Sequence, residues 1–90
     1  MSKSTPHRIP VRSALKAQLA ERYEGDLRAA VEARLAEGAP GLDLEQRRAD
    51  TSLWLRLDAE SERRVEQLAE AHGLTKSDVI LRVLEWLSTA

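Results

Sequence analysis

The sequence predicts a mainly helical fold built on a strand–helix–helix unit, with one short strand per unit and two units combined into an intertwined dimer. Three observations carry this. TSLWLRLD, Thr51 to Asp58, alternates apolar and polar side chains with the period of an extended chain. Two helices follow it, punctuated by Asp58, Gly73 and Thr75. The last of them, VILRVLEWL, is apolar around most of its circumference and so needs burial on more than one side.

In Thr51–Leu57 the residues Leu53, Leu55 and Leu57 share one face, and Ser52, Trp54 and Arg56 share the other. Asp58 is a good helix N-cap. Glu60 and Glu62 stand in the first turn, where the helix dipole favours acid. Val65, Leu68 and Ala69 form the inner stripe, and Glu60, Glu62, Glu66 and Glu70 read as a solvated face. His72 in the last turn and Gly73 after it form the usual C-terminal signal. Thr75-Lys76-Ser77-Asp78 then has the shape of a capping box, with Asp in place of Glu or Gln. Val79, Ile80, Val83, Leu84 and Leu87 are the apolar residues of the next helix, widened by Leu81 and Trp86.

The stretch from 51 to 88 is too short to bury enough apolar surface alone, and a single strand leaves its hydrogen bonds open. A second copy would supply an antiparallel partner strand, with the leucines inside a shared four-helix core and Ser52, Trp54 and Arg56 outside.

The first half is weaker in signal. Ser13 can cap a helix carrying Leu15, Leu19 and Tyr23; Gly25 interrupts; Asp26 can cap a second with Leu27, Val31 and Leu35 on one stripe. Ile9 and Val11 alternate with Arg8, Pro10 and Arg12. This looks like a shortened, degenerate copy of the same unit, so the chain could be a tandem whose own two strands pair. Pro10 removes a ladder donor but is tolerated at a ribbon edge. The other reading is a small helical hairpin that binds a partner protein or another subunit. GAPGLD, Gly38 to Asp43, marks a linker. The expected organisation is a basic arm and helical pair over 1–37, a linker over 38–50 and a strand–helix–helix domain over 51–90.

Composition narrows the function classes. With no cysteine among 90 residues, disulfides and thiolate metal sites are excluded, and His7 and His72 lack companion ligands, so no metal and no cofactor is expected. No apolar run approaches the length of a membrane span, and MSKSTPHRIP has no apolar core for a secretory signal, so a cytoplasmic location is expected. The net charge is −1, but Lys3, Arg8, Arg12 and Lys16 precede any acid, a basic arm on a near-neutral body. No nucleophile–base pair and no phosphate-binding glycine loop is present, so an enzyme is not expected.

A two-stranded ribbon fits the major groove of B-DNA. There Arg56 can bond guanine O6 and N7 bidentately, Ser52 can donate or accept, and Trp54 offers an apolar edge and one N–H. The alternative for Trp54 is packing against the N-terminal segment. The helix expected to begin at Thr75 offers free N–H groups to a phosphate, with Lys76 adding charge and Thr75 and Ser77 hydroxyls. Lys3, Arg8 and Arg12 are accessory candidates.

From Thr51 to about Leu87 these residues resemble the ribbon-helix-helix family, the MetJ/Arc-like repressors. The resemblance lies in the strand SLWLRL, the cap Asp58, the helix with Val65, Leu68 and Ala69, the turn Gly73-Leu74-Thr75-Lys76-Ser77, and the helix DVILRVLEWL. It implies an intertwined homodimer or higher oligomer that reads double-stranded DNA through Ser52, Trp54 and Arg56 and clamps phosphate at Thr75, Lys76 and Ser77. Trp54 is bulkier than usual for a middle reading position, and Ser61 stands where an apolar residue often packs. The expected function is a sequence-specific transcriptional repressor. Alternatives are an antitoxin whose N-terminal half binds a toxin, and a dimeric protein-interaction module that does not touch DNA.

Overall fold

The structure, a computed structural model, describes residues 6–43 and 48–89. The order of elements is β1 (His7–Val11), α1 (Ser13–Tyr23), α2 (Leu27–Ala36), β2 (Thr51–Leu55), α3 (Ala59–His72) and α4 (Lys76–Thr89). The strand–helix–helix unit is therefore present twice in one chain. The two strands pair with each other, antiparallel, with His7 opposite Leu55, Arg8 opposite Trp54, Ile9 opposite Leu53, Pro10 opposite Ser52 and Val11 opposite Thr51. The partner strand expected from a second copy is supplied by the chain's own N-terminal half.

Alternation in the sequence becomes two faces of the ribbon. Ile9, Val11, Leu53, Leu55 and Leu57 are buried, while Arg8, Pro10, Trp54 and Arg56 are exposed. Beneath the ribbon, Leu15 and Leu19 of α1, Val31 and Leu35 of α2, Val65 and Ala69 of α3, and six apolar residues of α4 join one core. α4 packs against β1 and all three other helices, which is why its sequence is apolar on nearly every side. Among the described residues, both halves contribute to this one buried cluster.

Polar contacts also cross between the halves. Asp50 Oδ1 accepts from the Ser13 backbone N–H at 2.7 Å and from its hydroxyl at 3.0 Å. The start of α1 is thus capped from the far half; Ser13 is the first helical residue rather than the cap, since Arg12 holds that position without a side-chain bond. Glu32 Oε2 of α2 accepts from the Asp58 N–H at 3.0 Å. Arg22 donates to the Leu87 and Ser88 carbonyls, covering the last turn of α4. His7 Nε2 and Glu62 Oε1 lie 2.5 Å apart, so Glu62 is half-buried and leaves the solvated row that Glu60, Glu66 and Glu70 keep.

The second unit's punctuation is where the sequence places it. Asp58 Oδ1 accepts from Ser61 N at 2.7 Å. Gly73 closes α3 in the left-handed conformation, φ 66°. Thr75 Oγ1 accepts from Asp78 N at 3.1 Å. Asp26 precedes α2 as expected but makes no side-chain cap bond.

Of the segment read as a linker, the described residues 38–43 pack against the core. Ala39 and Leu42 are buried. Arg34 lies with its guanidinium 3.1 Å from the centroid of the Trp86 ring and donates to the Pro40 carbonyl at 2.6 Å. Arg82 donates to the Leu42 carbonyl at 2.8 Å. A Cβ on Gly41 would come within 2.5 Å of Trp86 Cδ1, and its φ is +91°. Only glycine meets both conditions, because it has no Cβ and tolerates positive φ.

Candidate nucleic-acid interface

The ribbon's outer face brings together the predicted base-contact residues Ser52, Trp54 and Arg56. Ser52, Trp54 and Arg56 alternate along β2 and just past it, and the leucines between them are held in the core. That anchoring fixes the direction of the other three side chains. Trp54 is 65% exposed. It does not pack away against the N-terminal segment; the neighbour opposite it in the ladder is Arg8, which shares the outer face. Arg8 therefore belongs to the centre of this face rather than to an accessory arm.

The face is donor-rich, and none of the described residues on it is an acid. Arg8 Nε donates to Ser52 Oγ at 3.3 Å, which uses one of the five guanidinium N–H groups. Lys16 of α1 donates to the Ser52 carbonyl at 3.2 Å, bringing a third cation to the rim beside Arg8 and Arg56. Pro10, opposite Ser52, contributes an apolar surface and no N–H. The nearest acids in sequence, Asp50 and Asp58, flank β2 and are occupied as helix caps. The Ser13 amide bond holds the Asp50 carboxyl below its ordinary pKa. The Ser61 amide bond does the same for Asp58. A two-stranded ribbon is an element that the major groove of B-DNA admits.

Other predicted residues are placed differently. Arg12 is half-buried and its Nη2 lies 2.7 Å from Glu85 Oε1 on α4, so it ties β1 to the core instead of facing outward. That separation of partners in sequence hid the pairing. Lys3 lies outside the described residues. Thr75, Lys76 and Ser77 stand together at the start of α4, with the Thr75 hydroxyl spent on the cap and Lys76 Nζ 3.0 Å from Glu66 Oε1. Both members of that ion pair are well exposed, and such pairs contribute at most about 1 kcal/mol, so a phosphate could compete for the ammonium. His72 is exposed at the end of α3, where a cation complements the helix dipole.

Among the described residues, no group of three or more His, Cys, Asp or Glu side chains could hold a metal ion. No helix among them is long and apolar enough to cross a membrane. Set against known proteins, the chain matches no family model, no curated protein and no solved structure. The reading of this face rests on its own chemistry.

Proposed function

We propose that this chain is a sequence-specific DNA-binding regulator, a repressor by its resemblance to the ribbon-helix-helix proteins, that lays the β1–β2 ribbon in the major groove. The observation that carries the proposal is the ribbon's outer face. Arg8, Trp54 and Arg56 stand exposed there over a leucine-lined core, and among the described residues no acid lies between them. An exposed tryptophan between two arginines has no structural task that the core requires. On a groove floor each has one: the arginines fork to guanine O6 and N7, and the indole edge meets a thymine methyl. Arg56 supplies the sharpest discrimination, about 1–3 kcal/mol for a good bidentate pair. Lys16 and Lys76 serve as phosphate contacts that position the ribbon without reading sequence.

The antitoxin alternative draws support from the exposed outer surfaces of α1 and α2. Its weakness is that the apolar stripes of both helices are already used in the shared core.

Binding of labelled duplexes across a salt series tests the proposal. The affinity should fall steeply with salt, and Lys76→Ala should reduce the slope of log K against log salt by about one. Arg56→Ala should relax sequence preference and leave nonspecific binding largely intact. Affinity indifferent to both salt and sequence would remove the proposal.

A further inference from the structure

The two strands occupy equivalent places in the two units but carry different chemistry. Arg12 and Asp58 each immediately precede the first helix of their unit. Counting back from them, Arg8 stands in β1 where Trp54 stands in β2, and these two residues are partners in the ladder. The approximate two-fold axis relating the units therefore passes through the Arg8–Trp54 pair. The helices follow the same correspondence: Leu15 matches Ser61 and Leu19 matches Val65, all four buried. In the second helices Val31 matches Ile80 and Leu35 matches Leu84, again all buried.

On the outer face that correspondence exchanges unlike groups. Arg8 trades with Trp54, Pro10 with Arg56, and Pro6 with Ser52. The Pro10 and Pro6 exchanges set a side chain with no hydrogen-bonding group against one that has it, and the Arg8 exchange sets a guanidinium against an indole with a single N–H. The phosphate end differs as well. Thr75, Lys76 and Ser77 open α4, whereas the corresponding start of α2 is Asp26, Leu27 and Arg28, with an acid at the cap and Arg28 turned to Glu32 at 3.3 Å. The pairing within one chain makes these differences permanent, because no second strand of the same sequence is needed to complete the ribbon.

We infer that a single chain recognises a short, non-palindromic duplex site, with its guanine-reading arginines at the centre and at one end only. The inference rests on the DNA-binding reading above. Ser52 to Arg56 spans about 13 Å at the rise of a strand, which covers roughly four base pairs. At one end Arg56 meets the bases; the position related to it by the two-fold axis presents Pro10, which offers no side-chain donor. Ser52 shares that second end with Pro10, a neutral hydroxyl where the first end has a guanidinium.

Selection of duplexes from a random pool with the full chain tests this, followed by trimming to the shortest duplex that keeps full affinity and counting the chains bound to it. The expected result is one chain on an asymmetric core. Arg56→Ala, an exposed substitution, should lose discrimination on the order of tenfold at one base pair and none at the position symmetric to it. A shortest duplex that is palindromic and takes two chains, with Arg56→Ala relaxing two symmetric positions, would overturn the inference and leave DNA binding standing. No enrichment of any duplex would overturn both.

Discussion

Ile9→Ala tests whether the two halves share one core. Ile9 is fully buried in β1, opposite Leu53, and its side chain joins apolar residues from all four helices. Truncating a buried isoleucine costs about 2–5 kcal/mol, through lost transfer free energy and the cavity left behind. Ile9 has no exposed side on which neighbours could collapse, so a cost of about 3 kcal/mol is appropriate. The whole stability of a domain this size is on the order of 4–13 kcal/mol. At about 4–8 °C per kcal/mol, the midpoint should drop by roughly 12–24 °C. Thermal melts read by circular dichroism and by tryptophan emission provide the assay, in a Trp54→Phe background so that Trp86 of α4 reports alone. Both signals should move together, although the substitution lies in the N-terminal half and the reporter in the C-terminal one. Arg8→Ala, exposed in the same strand, should change the midpoint little, within about 0.5 kcal/mol. A Trp86 transition left in place while Ile9→Ala lowers the helical signal would show that the second half folds without β1, and the shared-core argument would fail.

Two further predictions concern local chemistry. Asp58→Ala should cost about 1 kcal/mol at neutral pH through loss of the cap on α3. The Asp58 carboxyl titrates below its ordinary value because Ser61 N–H donates to its charged form. Its contribution is therefore present above the unfolded value, roughly pH 4, and is lost as pH falls through the lower folded value. The gap between wild type and Asp58→Ala in thermal melts should narrow as pH falls below the unfolded value; a gap of constant size would refute the cap. Gly41→Ala should destabilise more than Gly25→Ala, since both replace a left-handed glycine but only Gly41 would press a Cβ into Trp86. Equal melting shifts for the two would remove the close approach from the account.

The second unit was legible because its signals are local. Asp58, Gly73 and Thr75 act on backbone groups within a few residues, and the Leu53–Leu55–Leu57 alternation needs only the pleat of one strand. The pattern Ile9–Val11 likewise announced β1, even with Pro10 between them. What the sequence could not display was partnership across long separations. Arg12 looked like part of a basic arm, but Glu85 claims it. Arg8 looked accessory, but the antiparallel register sets it opposite Trp54. Ser13 looked like a cap and is instead capped by Asp50. GAPGLD had the composition of a linker; the buried Ala39 and Leu42 were its one sign of packing, and the fit of Gly41 to Trp86 arises only when α4 is in place. Side-chain direction along β2 was legible, because alternation fixes it, while the neighbours across the ribbon were not, because register decides them.

The two tryptophans allow the most direct test of where DNA meets this chain. Each gives one indole N–H signal in a nitrogen–proton correlation spectrum: Trp54 from the exposed ribbon face, Trp86 from beneath Arg34 and the 38–43 loop. Titration with a selected duplex should shift or broaden the Trp54 signal and leave that of Trp86 in place. A shifted Trp86 signal beside an unmoved Trp54 would contradict the ribbon's outer face as the surface that reads DNA.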